Sequence, residues 1–187
     1  MLGEWCYYKS HFSPDYCNSI IEKAKDLTFQ VANLGEDGLS FGNNHRKSEV
    51  TWLYPHDFPD LYEEMWKLER EANKNWFGFH IDNLEYIQLA KYEGINQGEY
   101  KRHKDVFWIN QNSRHRKLSA VIQLSNPNDY EGGDLTFFEC NEYPNKKEIR
   151  QQGTIIFFPA FIDHQANPVL SGIRYSLAVW FEGPKWR

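Results

Sequence analysis

The sequence predicts a mainly β fold, a sandwich or barrel, with helices packed on one of its outer faces. Three observations predict it. Aromatic residues make up 17% of the chain, with 7 Trp, 11 Tyr and 13 Phe, and such side chains fit pleated, half-buried surfaces. From about Leu84, short segments rich in β-branched and aromatic residues alternate with turn-forming clusters. The helical patterns mostly precede that point, and helices that come before the strands in sequence tend to segregate to one face of the sheet.

Each element has a local reason. Ser13 is a good N-cap and Pro14 suits the first helical position, so a helix starts there. Cys17, Ile20, Ile21, Ala24 and Leu27 then follow at helical spacing. Residues 46–54 read as a strand. A second helix is expected over about residues 59–76, with Leu61, Met65, Leu68 and Ala72 on one face. The β region reads as strands at 85–92, 99–104, 117–124, 134–139, 154–158 and 174–181. Its breaks are Glu93-Gly94, Asn126-Pro127-Asn128-Asp129, Glu131-Gly132-Gly133, Pro144-Asn145 and Ser171-Gly172. With 187 residues, no repeat and no linker, one domain is expected: helical support over about 1–83 and a barrel core over about 84–187.

Composition narrows the function classes. A net charge of −5 gives no support for a dedicated nucleic-acid binder, whose footprint is basic. The basic run Arg114-His115-Arg116-Lys117 reads as a solvated loop rather than a phosphate site. Cys6, Cys17 and Cys140 form neither a disulfide framework nor a zinc-type spacing. The first residues lack the pattern of a secretory signal, and no apolar stretch reaches bilayer length, so no membrane association and a cytoplasmic setting are expected.

The chemistry-bearing pattern is His103-Lys104-Asp105, just after an expected strand. If strand geometry continues, His103 and Asp105 project to one face and Lys104 to the other. His164, beyond the strand-like Gly153-Thr154-Ile155-Ile156-Phe157-Phe158-Pro159, is the best third ligand. Two His and one carboxylate on one face of an ion leave three positions open, as non-haem Fe(II) oxygenases require. Alone, H-x-D is a weak signal in a chain with 7 His. Ten residues beyond His164, Arg174 opens a strand on which Arg174, Ser176, Ala178 and Trp180 share a face. A guanidinium there suits a carboxylate bidentately, although an internal salt bridge or a rim position would also satisfy it.

Taken in order, these motifs resemble a known family. Tyr92-Glu93-Gly94 and Gly98-Glu99-Tyr100-Lys101-Arg102-His103-Lys104-Asp105 resemble the Y-x-x-G…Y-x-x-H-x-D run of prolyl-hydroxylase-type 2-oxoglutarate oxygenases. Asp129-Tyr130-Glu131-Gly132-Gly133-Asp134-Leu135 resembles their turn before a barrel strand. The stretch from Gly153 to Pro159, with His164, Pro168-Val169, Gly172 and Arg174-Tyr175-Ser176-Leu177, resembles their ending, and Phe12-Ser13-Pro14 their opening.

The resemblance implies a double-stranded β-helix, a jelly-roll barrel buttressed by N-terminal helices. It implies Fe(II) held by His103, Asp105 and His164, with 2-oxoglutarate, O₂ and, as an auxiliary reductant, ascorbate. By the same similarity Arg174, Tyr92, Ser176 and Gln123 face the cosubstrate, and Trp108 and Trp180 the substrate. The implied reaction hydroxylates a C–H bond, with release of succinate and CO₂, most simply on a prolyl residue of a protein or peptide. Collagen-type members carry Lys where this chain has Arg174, which favours the bacterial-like and oxygen-sensing branches. The segment 106–116, which contains Trp108, resembles the substrate-covering loop of relatives. Three other readings stay open: a catalytically silent jelly-roll that binds a ligand or partner, a cupin-like dioxygenase that needs no cosubstrate, and a demethylase of the AlkB type. The last group has a second Arg where this chain has Trp180.

Overall fold

The computed structural model describes residues 3–32, 45–109 and 113–186. The chain runs β1 (Cys6–Tyr8), α1 (Pro14–Ala24), β2 (Gln30–Val31), β3 (Arg46–Lys47), β4 (Glu49–Leu53) and α2 (Pro59–Ala72). Then come β5 (Asn83–Leu84), β6 (Ile87–Glu93), β7 (Glu99–His103), β8 (Arg114–Gln123), β9 (Tyr130–Gly132) and β10 (Leu135–Phe137). The short α3 (Lys146–Ile149), β11 (Ile155–Pro159), β12 (His164–Ala166) and the long β13 (Val169–Pro184) complete it. One sheet has the order β1-β11-β8-β13-β6-β4-β2, with β5 and β9 added along β13; a second has the order β10-β12-β7-β3. Every pairing given is antiparallel.

The two helices form where the sequence placed them. Ser13 Oγ accepts from the Tyr16 N–H, and Pro14 occupies the first turn, where its missing N–H costs nothing. Cys17, Ile20 and Ala24 of α1 are buried, as are Leu61, Met65, Leu68 and Ala72 of α2. They pack on Leu89, Leu118, Ala120, Ile122, Leu177, Val179 and Phe181, one face of the large sheet. Alternation sends Gln88, Ala90 and Tyr92 of β6, and Arg174, Ser176, Ala178 and Trp180 of β13, to the other face, which lines a cleft. The helical segment after α2 changes character: residues Asn73–Phe77 make a π turn closed by Gly78 in the left-handed region.

Several expectations need correction. Residues 1–83 give more than buttressing helices, because β1, β2 and β4 extend the large sheet and β3 joins the small one. The single strand expected at 46–54 is two strands in different sheets, and buried Ser48 lies between them. The Ser171-Gly172 break lies inside β13, where pairing with β9 shifts register instead of ending. Gly172 has φ +73, and a Cβ there would sit 2.0 Å from the Asp129 carbonyl oxygen, so only glycine lets the strand continue. Glu131 and Gly132, also expected as a break, belong to β9.

The run Arg114-His115-Arg116-Lys117 is strand, not solvated loop. It opens β8, and His115 and Lys117 are buried, Lys117 lying 3.5 Å from the Trp186 ring centre. Across β13, Phe181 opposes Leu118 and Glu182 opposes Arg116, so Lys117 is the extra residue of a bulge. The substrate-covering loop expected at 106–116 therefore gives its last residues to β8, and its residues 110–112 lie outside the described residues.

Candidate metal centre

The small sheet brings the three expected ligands together. His103 ends β7 and His164 begins β12, and the two are direct cross-strand partners. Asp105 follows two residues on, where its N–H and that of Val106 both donate to the Ala160 carbonyl, at 2.9 and 3.0 Å. The ligand atoms of His103, Asp105 and His164 all lie within 4.8 Å of one another, and Asp105 and His164 are buried.

Backbone carbonyls fix both imidazoles. His103 Nδ1 lies 2.7 Å from the Lys101 carbonyl oxygen and His164 Nδ1 lies 3.0 Å from that of Ile162. A carbonyl can only accept, so each Nδ1 carries a proton, and in the neutral ring Nε2 is the nitrogen left to bind a metal. Those Nε2 atoms face Asp105, His103 3.6 Å from Oδ1 and His164 3.6 Å from Oδ2. Burial alone would raise the Asp105 carboxyl, but His164, His103 and Arg116 outweigh it and hold the group well below the usual carboxylate range. Burial, with His103 adding to it, pushes His164 down to about 4 despite Asp105. Both imidazole rings and the Asp105 carboxylate bring their ligand atoms within 4.8 Å of one another. The donor set fits Fe(II).

The cleft beside this cluster encloses about 470 Å³, counting its open mouth. Arg174 lies in its wall, 2% exposed. Its Nη2 donates to Gln123 Oε1 at 2.9 Å, its guanidinium lies 5.3 Å from the Tyr92 ring centre, and its Nε has no partner. No carboxylate lies in ion-pair range of Arg174 among the described residues. A buried guanidinium with a free N–H and no carboxylate partner among the described residues has the chemistry to accept an anion.

A profile described as the 2OG-Fe(II) oxygenase superfamily matches residues 87–182, from the start of β6 almost to the end of β13. The chain belongs to the 2OG-Fe(II) oxygenase superfamily. Membership implies Fe(II) and 2-oxoglutarate, which the histidine–aspartate cluster and the orphaned Arg174 accommodate. A PKHD-type hydroxylase of Pseudomonas putida strain W619 is 28% identical over 104 residues, 56% of this chain and 37% of that protein. Another from Synechococcus sp. strain CC9902 is 41% identical over 68 residues, 36% of this chain and 29% of that protein. The chain thus matches well under half the length of these curated relatives. A Pseudomonas putida prolyl-4-hydroxylase structure superposes with a TM-score of 0.72 at 20% identity, covering 96% of this chain and 92% of that one. A Trichoplax adhaerens prolyl hydroxylase, solved with a hypoxia inducible factor peptide, gives 0.74 at 18% identity, covering 96% and 83%. Those likenesses carry the fold: the double-stranded β-helix that the sequence resemblance implied.

Within this superfamily frame, the other expected residues fall in different places. Tyr92, Ser176 and Trp180 line the cleft. Gln123 does not; it sits behind Arg174, opposite Ser176 across the β8–β13 ladder, and holds the guanidinium. Trp108 stands 53% exposed outside the cleft lining, edge-on to His115. Four residues with a place at the site were not among those the sequence pointed to. Ser119 donates to Asp105 Oδ2 at 2.6 Å. Tyr100 stacks on His103 with ring centres 3.4 Å apart. Arg116 lies 3.9 Å from the Trp180 ring centre. Arg46 lines the cleft and lies 4.5 Å from the Tyr100 ring centre. Only Tyr100 carried a sequence signal, three residues before His103 in the family-like run.

Proposed function

We propose that this oxygenase hydroxylates a C–H bond of a prolyl residue in a protein or peptide, with His103, Asp105 and His164 as the iron ligands. One observation carries the chemistry. Two imidazoles with carbonyl-fixed tautomers aim Nε2 at one buried carboxylate, beside a cleft walled by an arginine that lacks an anion. Two structural neighbours are themselves named prolyl hydroxylases, which supports the prolyl substrate.

Iron with 2-oxoglutarate and O₂ supplies the oxidising power: the cosubstrate becomes succinate and CO₂, and one oxygen atom enters the substrate C–H. The protein's own residues do the rest. The Lys101 and Ile162 carbonyls keep both Nε2 lone pairs turned to the metal position. Ser119 orients Asp105 by donating to Oδ2. Arg174, braced by Gln123, meets the distal carboxylate of 2-oxoglutarate, with Ser176 and Tyr92 on the same wall. Trp180 forms the wall on which the substrate lies. We take residues 1–187 as one catalytic unit, since strands from both halves build the sheets.

The test is a succinate-release screen with proline-containing peptides, free amino acids and alkylated oligonucleotides. Prolyl hydroxylation predicts that peptides stimulate succinate release and gain one oxygen atom on proline. Stimulation by the oligonucleotides alone would overturn the substrate class.

A further inference from the structure

Among the described residues, the charge inventory of the cleft leaves one cation over. Of the described arginines that are not fully solvated, Arg114, Arg116 and Arg150 each meet an acid, Asp82, Glu85 and Asp134 respectively. Arg174 and Arg46 do not, and both line the cleft that holds His103, Asp105 and His164. Arg174 is accounted for by the cosubstrate in the reading proposed above. Arg46 is not.

Its guanidinium is built into place. Nε donates to Ser48 Oγ at 2.8 Å, Nη2 donates to Gln88 Oε1 at 2.9 Å, and the Tyr100 ring lies beneath it. These contacts use neutral acceptors and one N–H each, which leaves the Nη1 edge of the fork unspent. The neighbouring acids among the described residues are engaged elsewhere: Glu49 by Lys91, and Glu99 by Lys47 and Lys101. Tyr100, on which Arg46 lies, itself stacks on His103, so the spare cation stands one aromatic ring from a proposed iron ligand. A rigid, half-buried guanidinium with no counter-ion among the described residues is costly to keep unless something anionic arrives.

We infer that Arg46 is a specificity-determining residue that receives a carboxylate of the substrate. This rests on the proposed oxygenase reading of the site. The carboxylate has two sources, an acidic side chain next to the target residue in a peptide, or the α-carboxylate of a free amino acid.

The experiment compares capped Gly-Pro-Glu with capped Gly-Pro-Gln, and free proline with prolinamide. Succinate release is read with the loaded enzyme, and binding with metal-free protein by tryptophan fluorescence. In the native protein the acidic member of a pair is favoured about tenfold or more. Which pair shows the preference identifies the source. Arg46→Gln abolishes the preference and Arg46→Lys keeps part of it, while 2-oxoglutarate affinity stays within about twofold. Absence of an acidic preference in both readouts overturns the inference. So does an Arg46→Gln change that falls on 2-oxoglutarate affinity instead. Loss of succinate release with every probe, alongside an intact binding preference, would count against the oxygenase reading and not against Arg46.

Discussion

Ser119 Oγ donates a 2.6 Å hydrogen bond to Asp105 Oδ2, joining β8 of the large sheet to the segment that leaves β7 of the small one, directly at the metal centre. Ser119 is 1% exposed, and water has little access to replace it. Ser119→Ala therefore leaves a buried carboxylate oxygen with one partner fewer. Loss of a group that orients a metal ligand costs about 10- to 100-fold in metal affinity. A chelator-competition titration with Fe(II) should show that weakening in a protein that still folds.

Arg174 has a different signature. Arg174→Ala removes the proposed carboxylate receptor and leaves Gln123 Oε1 without its donor. Charge-assisted hydrogen bonds are worth about 1.5–3 kcal/mol each, so 2-oxoglutarate affinity should fall at least about tenfold. Iron affinity should change far less. Equilibrium binding of each, measured separately, distinguishes the two roles.

Trp180 carries Arg116 on its ring face and stands 6% exposed in the cleft wall. Trp180→Ala should raise KM for the peptide substrate by about three- to thirtyfold, the range of a lost aromatic and cation–π contact. The 2-oxoglutarate KM should stay near its native value. A matched rise in both KM values would place the ring in the cosubstrate site instead.

Glu69 supplies a stability prediction away from the centre. It is 2% exposed on α2, and its Oε1 has no partner. Burial pushes its carboxyl up from 4.5 to about 7, against Arg70 and an Asn73 hydrogen bond. The folded chain then holds a proton that the unfolded chain has lost between pH 4.5 and about 7. Stability contributed by that proton is present below 4.5 and falls as pH rises through the window, by up to about 1.4 kcal/mol per pH unit. Glu69→Gln should flatten this slope and raise the urea midpoint at pH 8 above that of the native chain, with little change at pH 4.

What the sequence made legible was local and periodic. The α1 cap at Ser13, the buried face of α2 and the shared face of Arg174, Ser176, Ala178 and Trp180 all follow from spacing along one element. His103 and Asp105 were readable for the same reason, and His164 through the family-like order around it. What stayed hidden depends on pairing between distant segments. Ser119 looks like any small residue in a strand until β8 is set beside Asp105. Arg116 reads as solvated until the bulge at Lys117 puts its guanidinium on Trp180. Arg46 and Trp52 look like one strand, but Arg46 pairs with Tyr100 in one sheet and Trp52 with Gln88 in the other. Gly172 shows the converse: a break in local preference became a bulge because β9 pairs across it.

Adding Fe(II) and 2-oxoglutarate together, without oxygen, and recording the visible absorbance bears on metal and cosubstrate at once. A metal-to-ligand charge-transfer band that needs both components, disappears in His164→Ala and weakens in Arg174→Ala is the expected result. No band from folded protein that has demonstrably bound Fe(II) would contradict the assignment of His103, Asp105, His164 and Arg174.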